Sequence, residues 1–198
     1  MTLLKLAGNN YDAIDFVAKT IDPNVAINFK YSEDLNDKQY PYYIQWDERW
    51  GYKEYAGGMI AETGCAPTAM AAVLTGLTGQ RMTPDEMAVI ATENGFSNNS
   101  GTSWNLFPYI AKEYGLKITE VANVDRQMKD HLAAGQPLII SVKPGRFTEV
   151  GHIMYITGVD SNGQYVLNDP NNLDHSTRRW NYEEFSEDLK AIWAFEKP

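Results

Sequence analysis

Thr63-Gly64-Cys65-Ala66-Pro67-Thr68 opens the stretch around which the chain is organised. Behind it, apolar residues recur at Ala66, Ala69, Met70, Val73, Leu74 and Leu77. That is the i, i+3, i+4 rhythm of one helical face. Ala71 and Ala72 fill the other side, so the spacing predicts a helix buried nearly all round. Gly76 or Gly79 should end it in the left-handed conformation. Pro67 fits only a first turn, where its missing N–H removes no helical bond. Cys65 therefore falls at, or one residue from, the helix N-terminus. The free N–H groups and the dipole there favour an anion, so a thiolate is stabilised. Cys65 is the only cysteine of the chain. A lone cysteine is more often a small buried hydrophobe than a nucleophile. A base, an orienting group and an oxyanion site must then come from elsewhere in the sequence.

C-terminal to this helix, Thr83-Pro84-Asp85-Glu86 is a helix start, with Pro at N1 and Glu at N3 closing a capping box. Ser103 is placed to cap a third helix carrying Trp104, Phe107, Ile110 and Ala111. Residues 117–122 read as a short strand and 125–134 as a helix capped by Asp125. The period then changes. Residues 137–142 and 151–159 read as strands apolar on both faces. Asp160-Ser161-Asn162-Gly163 is a turn signal, and 164–169 is the partner strand, broken by Pro170. Asn181 and Glu184 suggest a capped helix reaching residue 190, and 191–196 reads as a closing strand. Helices followed by an antiparallel sheet predict an α+β fold of two packed halves, with a cleft between them.

N-terminal to the cysteine, residues 1–38 read as an arm with one helix over 11–19 and a polar linker over 32–38. The compact domain, 39–198, begins with Tyr40-Pro41-Tyr42-Tyr43-Ile44. Trp46 and Trp50 read as core-edge packing. Gln45, beside Trp46, is an amide that can donate to an oxyanion.

The chain has 198 residues, 43% of them hydrophobic, with a formal net charge of −9. That is enough apolar material for one core, and the charge disfavours nucleic acid and anionic membrane surfaces as partners. No apolar run approaches the roughly 18 residues of a membrane span. Residues 1–8 are too short and too weakly basic for a signal peptide.

A thiol nucleophile needs a base, and there are three histidines. His131 lies in a polar helical stretch and His175 in the loop 171–179, both read as solvated. His152 starts an apolar strand, where a core histidine bonded to backbone is an equal reading. Asp169 favours the catalytic one. With a loop over 160–163, Met154 faces Asp169, which becomes the diagonal neighbour of His152 on the same face, roughly 7–8 Å away between Cα atoms. A two-residue Asn162-Gly163 turn would keep the face but move Asp169 one pair further away, and a three-residue loop would put Asp169 on the opposite face, so the geometry is permitted rather than forced.

Gln45-Trp46-Asp47, Gly64-Cys65-Ala66-Pro67-Thr68, Gly151-His152 and Asn168-Asp169-Pro170, in that order, resemble the papain-like cysteine peptidases. More narrowly they resemble the bacteriocin-leader-peptidase-like branch, in its standalone type. Gly101-Thr102-Ser103-Trp104 and Pro144-Gly145-Arg146-Phe147-Thr148 agree as well. The likeness begins near Tyr40 and leaves the arm outside. It implies a papain-like two-part fold, a helical half with the nucleophile helix packed on an antiparallel sheet. It further implies Cys65 as nucleophile, His152 as base, Asp169 as its orienter and Gln45 as oxyanion donor with the Cys65 N–H. Two departures are visible: Ala66 stands where the family commonly has Gly, and the span from Gln45 to Cys65 is longer than in most papain-like enzymes.

The expected function is a thiol-dependent hydrolase cleaving peptide bonds through a thioester on Cys65, with a peptide or protein substrate. The same triad would serve a cell-wall peptide amidase or transferase, and a non-catalytic binding module on the same scaffold is a third reading. No metal or cofactor is expected: His-Glu-x-x-His and Cys-x-x-Cys pairs are lacking, and Asp169-Pro170-Asn171-Asn172-Leu173-Asp174 lacks the full calcium-loop pattern. Standalone relatives tend to be exported. A secreted or surface-attached protein is therefore expected, with membrane contact only through an anchor outside this chain.

Overall fold

The computed structural model describes residues 2–99 and 101–198. Its helices are α1 (Leu3–Asn9), α2 (Ile14–Lys19), α3 (Ile60–Thr63), α4 (Cys65–Thr78), α5 (Pro84–Glu93), α6 (Leu106–Glu113), α7 (Asp125–Ala133) and α8 (Leu173–Thr177). Two short ribbons, β1 (Glu54–Tyr55) with β2 (Gly58–Met59) and β3 (Ser97–Asn98) with β4 (Gly101–Thr102), lie among them. The other strands are β5 (Lys117–Glu120), β6 (Leu138–Val142), β7 (His152–Val159), β8 (Tyr165–Asn168) and β9 (Leu189–Glu196). They form one five-stranded antiparallel sheet in the order β5-β9-β6-β7-β8.

Both faces of this sheet are covered, which is why β6 reads apolar without alternation. Ile139, Ile153, Tyr155, Trp193 and Phe195 pack with α4, α5 and α6. Leu138, Ile140, Met154 and Ile156 pack with Met128 and Leu132 of α7 and with Trp180 and Phe185. The central helix α4 is buried from Ala66 to Leu74 and ends at Gly79, whose φ of 73° is the left-handed stop. Gly76 lies inside the helix instead. A Cβ there would come 2.0 Å from the Tyr40 ring, so Gly76 is the seat of that side chain.

Several boundaries differ from the sequence reading. The Thr83–Glu86 capping box forms as expected. The third helix begins at Leu106 behind Asn105, and Ser103 instead accepts the Asn105 N–H on its Oγ. Asp125 is the first residue of α7 and Val124 its cap. No helix runs to residue 190. The Asn181–Glu184 box caps a single 3-10 turn, Tyr182–Glu184, and a second, Ser186–Asp188, leads into β9. Buried Phe185 lies between these turns and anchors them to the sheet.

The arm has more structure than one helix, and it is packed. Leu6, Ala13, Phe16 and Val17 form a buried cluster with Tyr42, Ile44, Trp46 and Ala61. Asn36, in the polar linker, donates to Asn168 Oδ1 at 2.7 Å and to the Ser176 carbonyl at 2.9 Å.

Candidate active site

Cys65 is the first residue of α4, and Gly64 is at once its cap and the C-cap of α3. A Cβ on Gly64 would lie 2.6 Å from the carbonyl oxygen of Ile60, so only glycine lets the two helices meet so closely. The half-buried thiol is thus fixed at the helix mouth. Burial pushes its pKa up, but the hydrogen bond and charge of His152, with the backbone N–H groups of Ile153 and Ala66, outweigh it and bring the pKa below the ordinary thiol value.

His152 is the first residue of β7, paired with Val142, and its Nε2 lies 2.6 Å from Asp169 Oδ1. How Asp169 arrives there differs in detail from the sequence argument. Val159 pairs with Tyr165, so the loop is residues 160–164, one longer than the expected turn. A bulge between Ile156 and Gly158 then takes the extra residue up, and Tyr155 pairs with Asn168. The next position along, Asp169, is therefore opposite Met154 and diagonal to His152.

Asp169 is 1% exposed. Burial alone would raise its pKa, but the charge and hydrogen bonds of His152 and His175 hold the carboxyl far below its usual range. An ionised carboxylate only accepts, so His152 Nε2 carries a proton and Nδ1 is left for Cys65. Burial lowers the His152 pKa, yet Asp169 first and Cys65 second raise it to about 10. The site therefore favours a thiolate–imidazolium pair.

The sequence reading left His175 solvated; it is in fact partly buried, with Nδ1 2.7 Å from Asp169 Oδ2. Its position depends on α8, which stands where the sequence pattern predicts a loop. Asn172 caps this short helix by accepting the His175 N–H at 3.0 Å. The legible signal was Asn172 three residues before His175, an N-cap pattern. His131 ends up near the C-terminal end of α7, 2.6 Å from Gln136 Oε1.

Gln45 is buried between the segments that carry Asp169 and Cys65. Its N–H donates to the Pro170 carbonyl at 2.7 Å, and its Nε2 donates to the Ala61 carbonyl at 2.7 Å. It thus ties the residue after Asp169 to the helix before Cys65. The second amide hydrogen of Nε2 is not used by that bond.

Cys65 and His152 open into a cleft of about 760 Å³ between the helical half and the rim of the sheet. Thr102, Trp104, Lys143, Val150 and Lys190 line it, with the Lys190 ammonium over the Trp104 ring, 5.0 Å from its centroid. Among the described residues, no group of three or more His, Cys, Asp or Glu is arranged to hold a metal ion, and no helix is long and apolar enough to cross a membrane.

A cysteine at the mouth of a buried helix, against a histidine on an antiparallel sheet, is the arrangement of the papain-like fold. The chain belongs to the Peptidase_C39 like family, whose sequence pattern matches residues 37–196. In structure it resembles the peptidase domain of Streptococcus ComA, a bi-functional ABC transporter involved in a quorum sensing pathway, with a TM-score of 0.51 and 20% identity over 68% of this chain and 90% of that one. The peptidase domain of Streptococcus mutans ComA is similar at a TM-score of 0.44 and 21% identity, over 67% of this chain and 91% of that one. No curated protein sequence matches.

Proposed function

We propose that this chain is a cysteine peptidase acting through Cys65, His152 and Asp169. The observation that carries the reading is the His152 Nε2–Asp169 Oδ1 contact of 2.6 Å, with the other face of the ring bonded to Cys65. The Cys65 thiolate attacks the carbonyl carbon of the scissile amide. The oxyanion is held by the Cys65 N–H at the start of α4 and by the second amide hydrogen of Gln45. His152⁺ then gives its Nδ1 proton to the leaving amine, and the C–N bond breaks. Water, losing a proton to His152, attacks the thioester and frees the thiolate. The substrate is a peptide or protein entering the cleft that Trp104 and Lys143 help to line.

The test is proteome-derived peptide cleavage by wild type against a Cys65→Ala control, with iodoacetamide labelling near neutral pH. Cysteine-dependent new termini and one fast adduct on Cys65 are expected. Identical peptide profiles, with labelling that titrates near the free thiol value of about 8.5, would make the chain a binding module.

A further inference from the structure

Asp169 holds two imidazoles on one buried carboxylate, and the reaction above uses one of them. Oδ1 accepts from His152 at 2.6 Å and from the Asn171 N–H at 2.8 Å. Oδ2 accepts from His175 Nδ1 at 2.7 Å. His175 is itself fixed from several sides. Its N–H goes to Asn172 Oδ1 at 3.0 Å, and its carbonyl accepts the Trp180 indole N–H at 2.8 Å. Phe147 and Trp180 stand edge-on to its ring, 5.3 Å and 5.8 Å away between centroids. So much local structure around a partly exposed histidine serves to aim one N–H at Asp169.

We propose that His175 is a positioning residue of the site: its Nδ1–H fixes Asp169 Oδ2 so that Oδ1 keeps the His152 ring turned toward Cys65. The inference rests on the cysteine-peptidase reading and extends it by one residue. Two physical needs support it. A carboxylate held at one oxygen can rotate about its Cβ–Cγ bond, and His152 would swing with it. In addition, the thiolate–imidazolium pair leaves Asp169 as a third, buried charge, and such a charge is costly unless its remaining lone pairs are satisfied.

Two substitutions separate aiming from packing. His175→Phe keeps a ring against Phe147 and Trp180 and removes the donor. His175→Asn loses the ring but places an amide N–H near where Nδ1 was. The readout is the rate of iodoacetamide alkylation of Cys65 against pH, on the full chain, with circular dichroism to establish folding. His175→Phe is expected to move the thiol titration toward the free value and to slow alkylation at pH 6 about tenfold, since each pKa unit changes the thiolate fraction about tenfold at that pH. His175→Asn should retain most of the wild-type profile. The reverse pattern, Phe like wild type and Asn impaired, would make His175 a packing residue and overturn the proposal. So would two folded variants that both match wild type. A wild-type chain that itself titrates like a free thiol would overturn the peptidase reading and this inference together.

Discussion

Phe16 of the arm lies flat on Tyr52 of the body, ring centroids 4.1 Å apart and planes 6° from parallel. The Tyr52 hydroxyl also donates to the Phe16 carbonyl at 2.8 Å. Through this contact the arm covers Trp46, Ile44 and Ala61, and Ala61 belongs to the helix that leads into Cys65. The sequence alone reads residues 1–38 as an arm outside the compact domain; these contacts pack it against the body. Phe16→Ala should destabilise by about 3–5 kcal/mol, as for other buried phenylalanines. Urea unfolding measures it, and an unchanged midpoint, for this variant or for deletion of 1–38, would show the arm to be merely appended.

Gly76→Ala tests the seat of Tyr40. In an exposed helix this change stabilises by about 1 kcal/mol. Here the new methyl would lie 2.0 Å from a ring atom of Tyr40, which is 5% exposed. Overpacking of that kind costs about 1–3 kcal/mol, so the steric effect should win. A lower Tm is expected. A higher Tm would mean that Tyr40 moves aside freely.

The pH profile follows from two opposed shifts. Cys65 titrates below the ordinary thiol range and His152 near 10, so the reactive pair exists between them. Turnover on a small peptide should rise on the acid side below the free thiol value, hold a plateau, and fall as pH approaches about 10. Stability has its own signs. The raised His152 pKa contributes stability present below its unfolded value, about 6.5, and lost as pH rises through about 10. The depressed Asp169 pKa contributes stability present above about 3.9 and lost as pH falls below it. An alkaline limb near pH 7 would contradict the His152–Asp169 coupling.

The Cys65 helix, the capping box at Thr83 and the strands of the sheet were legible because each is written in local periodicity. The diagonal placement of His152 and Asp169 was legible too, although two details cancelled. The loop is one residue longer than expected, and the bulge at Ile156/Gly158 removes the difference. Neither could be read from the sequence, because a bulge is fixed by pairing across strands rather than by its own residues. The setting of His175 and the packing of the arm were not legible for a related reason. Polar stretches such as 32–38 and 171–179 look solvated one by one. Their roles come from partners far along the chain, as Asn36 shows by bonding to Asn168.

Gln45 is expected to contribute both to rate and to fold. Removing one oxyanion donor typically costs about 10²–10³ in kcat. Gln45→Ala also removes the buried bond to the Ala61 carbonyl, so its Tm should fall. Gln45→Glu should be at least as slow, because a carboxylate repels the oxyanion. If both variants turn over like wild type while losing stability, Gln45 is only the tie between Pro170 and Ala61, and the donor lies elsewhere.

His152 and Asp169 should separate in their sensitivity to substitution. In the proposed mechanism His152 carries the proton to the leaving amine and Asp169 only orients it, so His152→Ala should nearly abolish turnover. An amide oxygen can accept the same Nε2–H. If, as proposed, a thiolate–imidazolium pair largely exists before attack, the carboxylate contributes less to the barrier than it would beside a serine. Asp169→Asn is therefore expected to keep much of the activity. It cannot keep all of it, since Asp169 accepts from both His152 and His175 and an asparagine has one oxygen for the two. With that oxygen on His152, the amide nitrogen faces His175 Nδ1, which must then give up its proton to Nε2. Asp169→Ala serves neither ring and removes the acceptor of both ring N–H groups and of the Asn171 N–H, so it should lose considerably more. The order of kcat/KM should be wild type, Asp169→Asn, Asp169→Ala, then His152→Ala. If Asp169→Ala were as active as wild type, Asp169 would have no part in orienting His152, and the carboxylate would serve only to bind the loop 169–176 to the end of the sheet.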